Sequence, residues 1–160
     1  MRVLGLDPGT RKTGYGVVGM KNGQPVRIAS GVLNLGNGSL EMRLGRLHDG
    51  LLRVVSENQP TACAVEGVFQ HRNPRSALVL GHARGVCLLA AALHNLAVVE
   101  YPPASVKRAI AGHGAADKQS VGFMVARLLQ VPQEDSEDAS DALAIALCHL
   151  ESHRPLRVYK

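Results

Sequence analysis

Four acidic residues sit where charge is expensive or crowded: Asp7, Glu66, Asp138 and Asp141. Asp7 closes the apolar run RVLGLD and Glu66 follows the run ACAV, so each lies at the C-terminal end of an expected strand. Asp138 and Asp141 fall one turn apart on an expected helix and project from the same face. Singly, each has an ordinary explanation. Asp-Pro-Gly forms turns, a strand-end glutamate can point to solvent, and acids in a first helical turn suit the helix dipole. Jointly they conflict, because two carboxylates about 4 Å apart repel by roughly 4 kcal/mol at an effective dielectric of about 20. Divalent cations remove that repulsion, and an all-oxygen ligand set selects magnesium or manganese over zinc. Two such ions can activate a water and hold the leaving oxygen of a phosphodiester. The chemistry expected is metal-dependent phosphodiester hydrolysis, with Asp7, Glu66, Asp138 and Asp141 both catalytic and metal-binding.

The elements that must position these acids follow from hydrophobic periodicity and punctuation. Strands are expected at Arg2 to Asp7, Tyr15 to Met20 and Val26 to Leu35, with a hairpin turn at Asn22-Gly23. Leu40, Leu44, Leu47, Leu51 and Val54 then mark one face of a helix that starts at Ser39 and stops at Gln59-Pro60. A strand over Ala62 to Val65, a helix from Asn73-Pro74 to about Asn95 and a strand over Ala97 to Tyr101 complete a βαβ unit. A short helix with Lys107 and Arg108 follows, then one from Asp117, then a last helix near Ser136 expected to bury Ala139, Ala142, Leu143, Ala146, Leu147 and Leu150 on one side. The predicted class is α/β: a ribonuclease H-like fold with a five-stranded mixed sheet, three antiparallel strands then two parallel, flanked by helices. One domain spans residues 1–160 in this reading. The topology sets the first and fourth strand ends side by side, with the last helix able to pack across them.

Composition narrows the partners. The chain has a formal net charge of +5 and a pI near 9.4, which favours an anionic partner such as nucleic acid. Cys63, Cys87 and Cys148 are far apart and lie in apolar runs, so buried free thiols in a reducing compartment are expected and a zinc site is not. The N-terminus does not resemble a signal sequence and no run is expected to reach the length of a membrane span, so the location expected is cytoplasmic.

The motifs also resemble a known family. LGLDPGTRKTGYGVV, VEGVF and EDASDALAIAL, with GHARGV and DKQSVGFMVARLL between them, are similar in order and spacing to the RuvC family of Holliday junction resolvases. This resemblance implies that the four carboxylates bind Mg2+, with Mn2+ as a substitute and two ions per site. It implies a homodimer that nicks two opposed strands of a four-way DNA junction, leaving 5′-phosphate and 3′-hydroxyl ends, with RuvA and RuvB as partners. It further implies that Lys107 and Lys118 contact DNA near the scissile phosphate and that Phe69 stacks on a base. Arg11, Lys12, Arg72, Arg75 and Arg84 can extend a basic track for DNA, or be ordinary surface charges. Gly81 and Gly85 can admit the sheet or a partner subunit. Gly67 departs from the family pattern, in which many members carry Gln. LGLDPGT also resembles the phosphate loop of actin-like ATPases, although no second phosphate motif accompanies it.

Overall fold

Alternation along the strands decides which side of the sheet each residue serves. The computed structural model describes residues 1–67 and 73–153. Its elements are β1 (Arg2–Asp7), β2 (Lys12–Lys21), β3 (Gln24–Asn34), α1 (Leu40–Asn58), β4 (Ala62–Glu66), α2 (Pro74–Leu93), β5 (Ala97–Tyr101), α3 (Pro103–Ala111), α4 (Lys118–Leu129) and α5 (Glu137–Ser152). The strands form one sheet in the order β3-β2-β1-β4-β5, with β1, β2 and β3 antiparallel and β1, β4 and β5 parallel. This is the mixed five-stranded sheet expected from the sequence.

Residues of β1 and β4 divide between two cores. Leu4, Leu6, Cys63 and Val65 face α1 and α2, whereas Val3 and Ala64 face α3, α4 and α5. Burial of each such Leu or Val contributes about 1.5–3 kcal/mol, enough to fix strand register, since a one-residue slip exchanges the two faces. By the same alternation Asp7 and Glu66 lie on the α5 side. The register Leu6↔Val65 brings the two strand ends level.

Local chemistry closes the elements. Asn22 (φ 51°) and Gly23 (φ 77°) both adopt left-handed backbone in the two-residue hairpin between β2 and β3, the geometry that matches strand twist. Asn73 Oδ1 accepts bonds from Arg75 N (3.0 Å) and Ser76 N (3.4 Å), and Pro74 follows as the first helical residue of α2. All three cysteines are buried and unpaired, as expected.

Two expectations need correction. α5 does not bury one side: Ala139, Ser140 and the whole run from Ala142 to Leu150 are buried. The reason is that the sheet covers one side of α5 while α3 and α4 cover the other. The expectation that no run reaches spanning length also fails for α2, whose 20 residues are long and apolar enough, at a mean hydropathy of 1.6, to pass that test. Its composition reflects packing on α1 and β5 on one side and an apolar outer surface on the other, where Leu78, Leu89 and Leu93 are exposed.

Candidate active site

Close approach of α5 to the sheet builds the site, and glycines permit it. Gly5 of β1 lies opposite Gly16 of β2, and Asp7 lies opposite Gly14. A Cβ on Gly14 would stand 1.9 Å from the Asp138 carbonyl oxygen, and one on Gly5 would stand 2.1 Å from the Ala142 carbonyl oxygen. No side chain fits at either place, so the TGYG and LGLD patterns are packing requirements as much as motifs. Small residues on the helix, among them Ala139, Ala142 and Ala146, complete the contact. The helix start is thereby drawn down onto the ends of β1 and β2. Beyond Asp7, the turn is pinned by Thr13, whose hydroxyl donates to Gly9 O (3.0 Å) and accepts from Gly9 N (3.2 Å).

The carboxylates feel one another. Burial pushes the Asp7 carboxyl up to about 7, and the charges of Asp141, Glu66 and Asp138 add to the effect against a smaller opposing pull from Lys118. Glu66 is raised by burial and by Asp141, and lowered by Lys118 and Lys107. Asp141 is raised by burial, opposed by Lys118, and raised further by Glu137 and Asp138. The site therefore carries more negative charge than its own lysines neutralise.

Lysine placement explains the balance. Asp117 caps α4 by accepting from Ser120 N (2.7 Å), which fixes Lys118 at the helix start. Lys118 Nζ lies 2.6 Å from Glu137 Oε1 and 3.2 Å from Asp141 Oδ2, and the bond to Glu137 does most to raise the lysine above its usual range. Lys107, half-buried on α3, lines a cavity of about 60 Å³ together with Glu66, Lys118 and Asp141. On the other side of Lys118 and Asp141 opens a polar cleft of about 420 Å³ that includes Gln119, Glu134 and Glu137.

Among the described residues no three His, Cys, Asp or Glu side chains stand close enough to hold a metal unaided. The donor chemistry nonetheless fits a hard divalent cation, because every acid is an oxygen donor and Asp7, Glu66 and Asp141 are all raised, first by burial and then by neighbouring negative charge.

Of the other residues singled out from sequence, Phe69, His71 and Arg72 lie outside the described residues. Arg75 is exposed in the first turn of α2, and Arg11 bonds Asn37 Oδ1 (2.9 Å). Arg84 does not join a basic track: it is 9% exposed, with Nη2 placed 2.5 Å from Glu100 Oε2, an ion pair by distance without hydrogen-bond alignment. Gly81 and Gly85 face open space rather than the sheet. Sequence reasoning gave no separate role to Glu137, whose signal was its position one turn before Asp141. It also missed Glu134, which accepts from Arg27 Nη1 and Ser30 Oγ (both 2.5 Å) and ties the segment before α5 to β3.

The chain is similar to known proteins over nearly its whole length. The family described as crossover junction endodeoxyribonuclease RuvC matches residues 3–149. The crossover junction endodeoxyribonuclease RuvC of Halorhodospira halophila is 51% identical over 150 residues, covering 92% of this chain and 89% of that protein. Its counterpart in Myxococcus xanthus is 52% identical over 158 residues, covering 96% and 82%. A solved structure of T. thermophilus RuvC in complex with a Holliday junction substrate superposes with a TM-score of 0.88 at 37% identity, covering 94% of this chain and 93% of that one.

Proposed function

Because the chain belongs to the crossover junction endodeoxyribonuclease RuvC family and is a Holliday junction resolvase, we propose that its endonuclease chemistry is carried by Asp7, Glu66, Asp138 and Asp141 within one nuclease domain over residues 1–160. Members of this family depend on divalent metal ions. The ions proposed here are magnesium, with manganese as a substitute and two per site, held by the four carboxylates. When bound, they supply charge neutralisation, a water of lowered pKa and stabilisation of the leaving oxygen. The observation that carries this reading is Asp7, held at about 7 by burial and by three neighbouring acids.

The chain's own residues do the rest. The carboxylates must ionise and hold position, which the glycine-lined seat of α5 secures. Lys107 and Lys118 offer positive charge beside Glu66 and Asp141, so a scissile phosphate entering there meets ammonium groups rather than bare carboxylates. Phe69 is proposed to stack on a base at the crossover, and Arg72 and Arg75 to contact the DNA backbone.

Cutting two opposed strands symmetrically requires two sites, hence a homodimer. Support comes from the outer face of α2, where Leu78, Gly81, Gly85 and Leu89 line an apolar groove of about 560 Å³. Leu78 is 66% exposed and Leu89 is 52% exposed, a surface suited to burial against a second copy. RuvA and RuvB are the proposed partners, and the cytoplasm the proposed location.

The test is cleavage of a four-way junction, a three-way junction, a flap and a linear duplex, with analysis of product ends. Paired nicks on the four-way junction bearing 5′-phosphate and 3′-hydroxyl termini are expected. Equal cleavage of the linear duplex, or loss of metal dependence, overturns the reading.

A further inference from the structure

We propose that Glu137 is a positioning residue that parks Lys118, keeping Asp141 accessible to a divalent cation; the inference rests on the carboxylate site described above. Glu137 and Asp141 are four apart in α5 and share a helix face, an arrangement in which like charges repel. Lys118 Nζ lies between them, 2.6 Å from Glu137 Oε1 and 3.2 Å from Asp141 Oδ2. The shorter contact is to the acid outside the tetrad, while the longer one to Asp141 is aligned as a hydrogen bond, so the ammonium is shared between the two acids.

An N-terminal acid in α5 is also favoured by the helix dipole. That alone explains a Glu at this position but not its hold on a lysine from another helix. Lys118 and Asp141 border both the small cavity shared with Glu66 and Lys107 and the polar cleft that contains Glu137. The ammonium thus stands at the partition between them. Held by Glu137, it stays at the cleft edge, where it can meet a phosphate when a cation takes Asp141. Without Glu137 its nearest anionic partner is Asp141, and it becomes a built-in competitor for the metal position.

Geometry makes the effect separable from simple charge removal. Deleting any nearby acid weakens cation binding a little, whether or not a lysine is involved. An effect routed through Lys118 disappears when Lys118 is absent, and a double-mutant cycle reads that difference.

The experiment measures Mn2+ binding to the full chain, without DNA, by electron paramagnetic resonance of the free ion. Wild type, Glu137→Gln, Lys118→Met and the double variant are compared, with Asp7→Asn as the control for the site. Glu137→Gln is expected to weaken Mn2+ binding about two- to fivefold, the upper range for an exposed ion pair, and to have little effect in the Lys118→Met background. An equal loss in both backgrounds overturns the parking role, because Glu137 then acts only as a charge. Unchanged affinity in the single variant overturns it as well, while leaving the carboxylate site standing. Absence of any Mn2+ binding that Asp7→Asn removes overturns the site and the inference together.

Discussion

The two faces of the sheet are built from one set of strands but carry opposite loads. On the α1 and α2 face, Leu4, Leu6, Val17 and Val65 pack into an apolar core with large side chains. On the α5 face the strands present Gly5, Gly14 and Gly16, and the helix comes down almost onto the backbone. The first face gains its stability from volume. The second gives up side-chain volume for proximity, which is what brings Asp138 and Asp141 to Asp7. The site is a product of close backbone approach, at a cost in crowded charge.

Four substitutions probe the difference between the two faces. The largest effect is expected at the outer surface of the volume-rich face: Leu89→Glu should weaken self-association about 100-fold or more, as for a central apolar contact, while the fold persists. Sedimentation together with the pairing of nicks on a junction checks this; self-association undisturbed by the change would remove α2 from the proposed interface. Next, Gly14→Ala should destabilise by about 3 kcal/mol, because the added carbon meets the Asp138 backbone and forces α5 away. Urea unfolding reads the loss, and a neutral result would mean that α5 is not seated as described.

Asp7→Asn should stabilise the metal-free protein at about pH 8 by around 2 kcal/mol, roughly half of the about 4 kcal/mol that the shift represents at about 1.4 kcal/mol per pKa unit, because the buried Asn amide carries a desolvation cost of its own. The folded state holds the Asp7 proton up to about 7, against 3.8 for an unperturbed carboxyl. The native state therefore binds protons that the unfolded chain has released, and stability falls as pH rises between those values. The gain from the substitution should vanish below about pH 4, where Asp7 is protonated in both states. Melts in chelator at the two pH values decide it, and a gain of the same size at both would show that ionisation of the buried, crowded carboxyl is not the cause. The smallest effect is a control: Gly45→Ala in α1, where a Cβ meets nothing within 4 Å, should stabilise by about 0.5–1 kcal/mol. A loss there, seen in the same urea titration, would undercut the reading that the cost at Gly14 comes from contact with α5.

Much of this was legible in the sequence, for reasons the structure makes plain. β1 and β5 were read at their full extents because an apolar run bounded by a turn, or by Pro102-Pro103, leaves little choice. Asp7 and Glu66 were legible because each ends such a run. β2 starts earlier than expected, at Lys12, since its first residues pair with Leu33 and Asn34 despite low apolar content. The all-round burial of α5 was not legible: covering by α3 and α4 is a tertiary fact, and small residues such as Ala144 look as suitable for surface as for core. Glu137 was unreadable for a similar reason. Its partner Lys118 lies on another helix, and no local spacing connects them.

The crowded acids at the glycine-lined end of the sheet are proposed to perform the cleavage. Asp7→Asn assayed on a synthetic four-way junction with magnesium, for cutting and for binding in parallel, tests this. Loss of cleavage by about 1,000-fold or more, equivalent to about 4 kcal/mol of barrier, with junction binding within about threefold of wild type, is the predicted result. Cleavage retained at near the wild-type rate contradicts it.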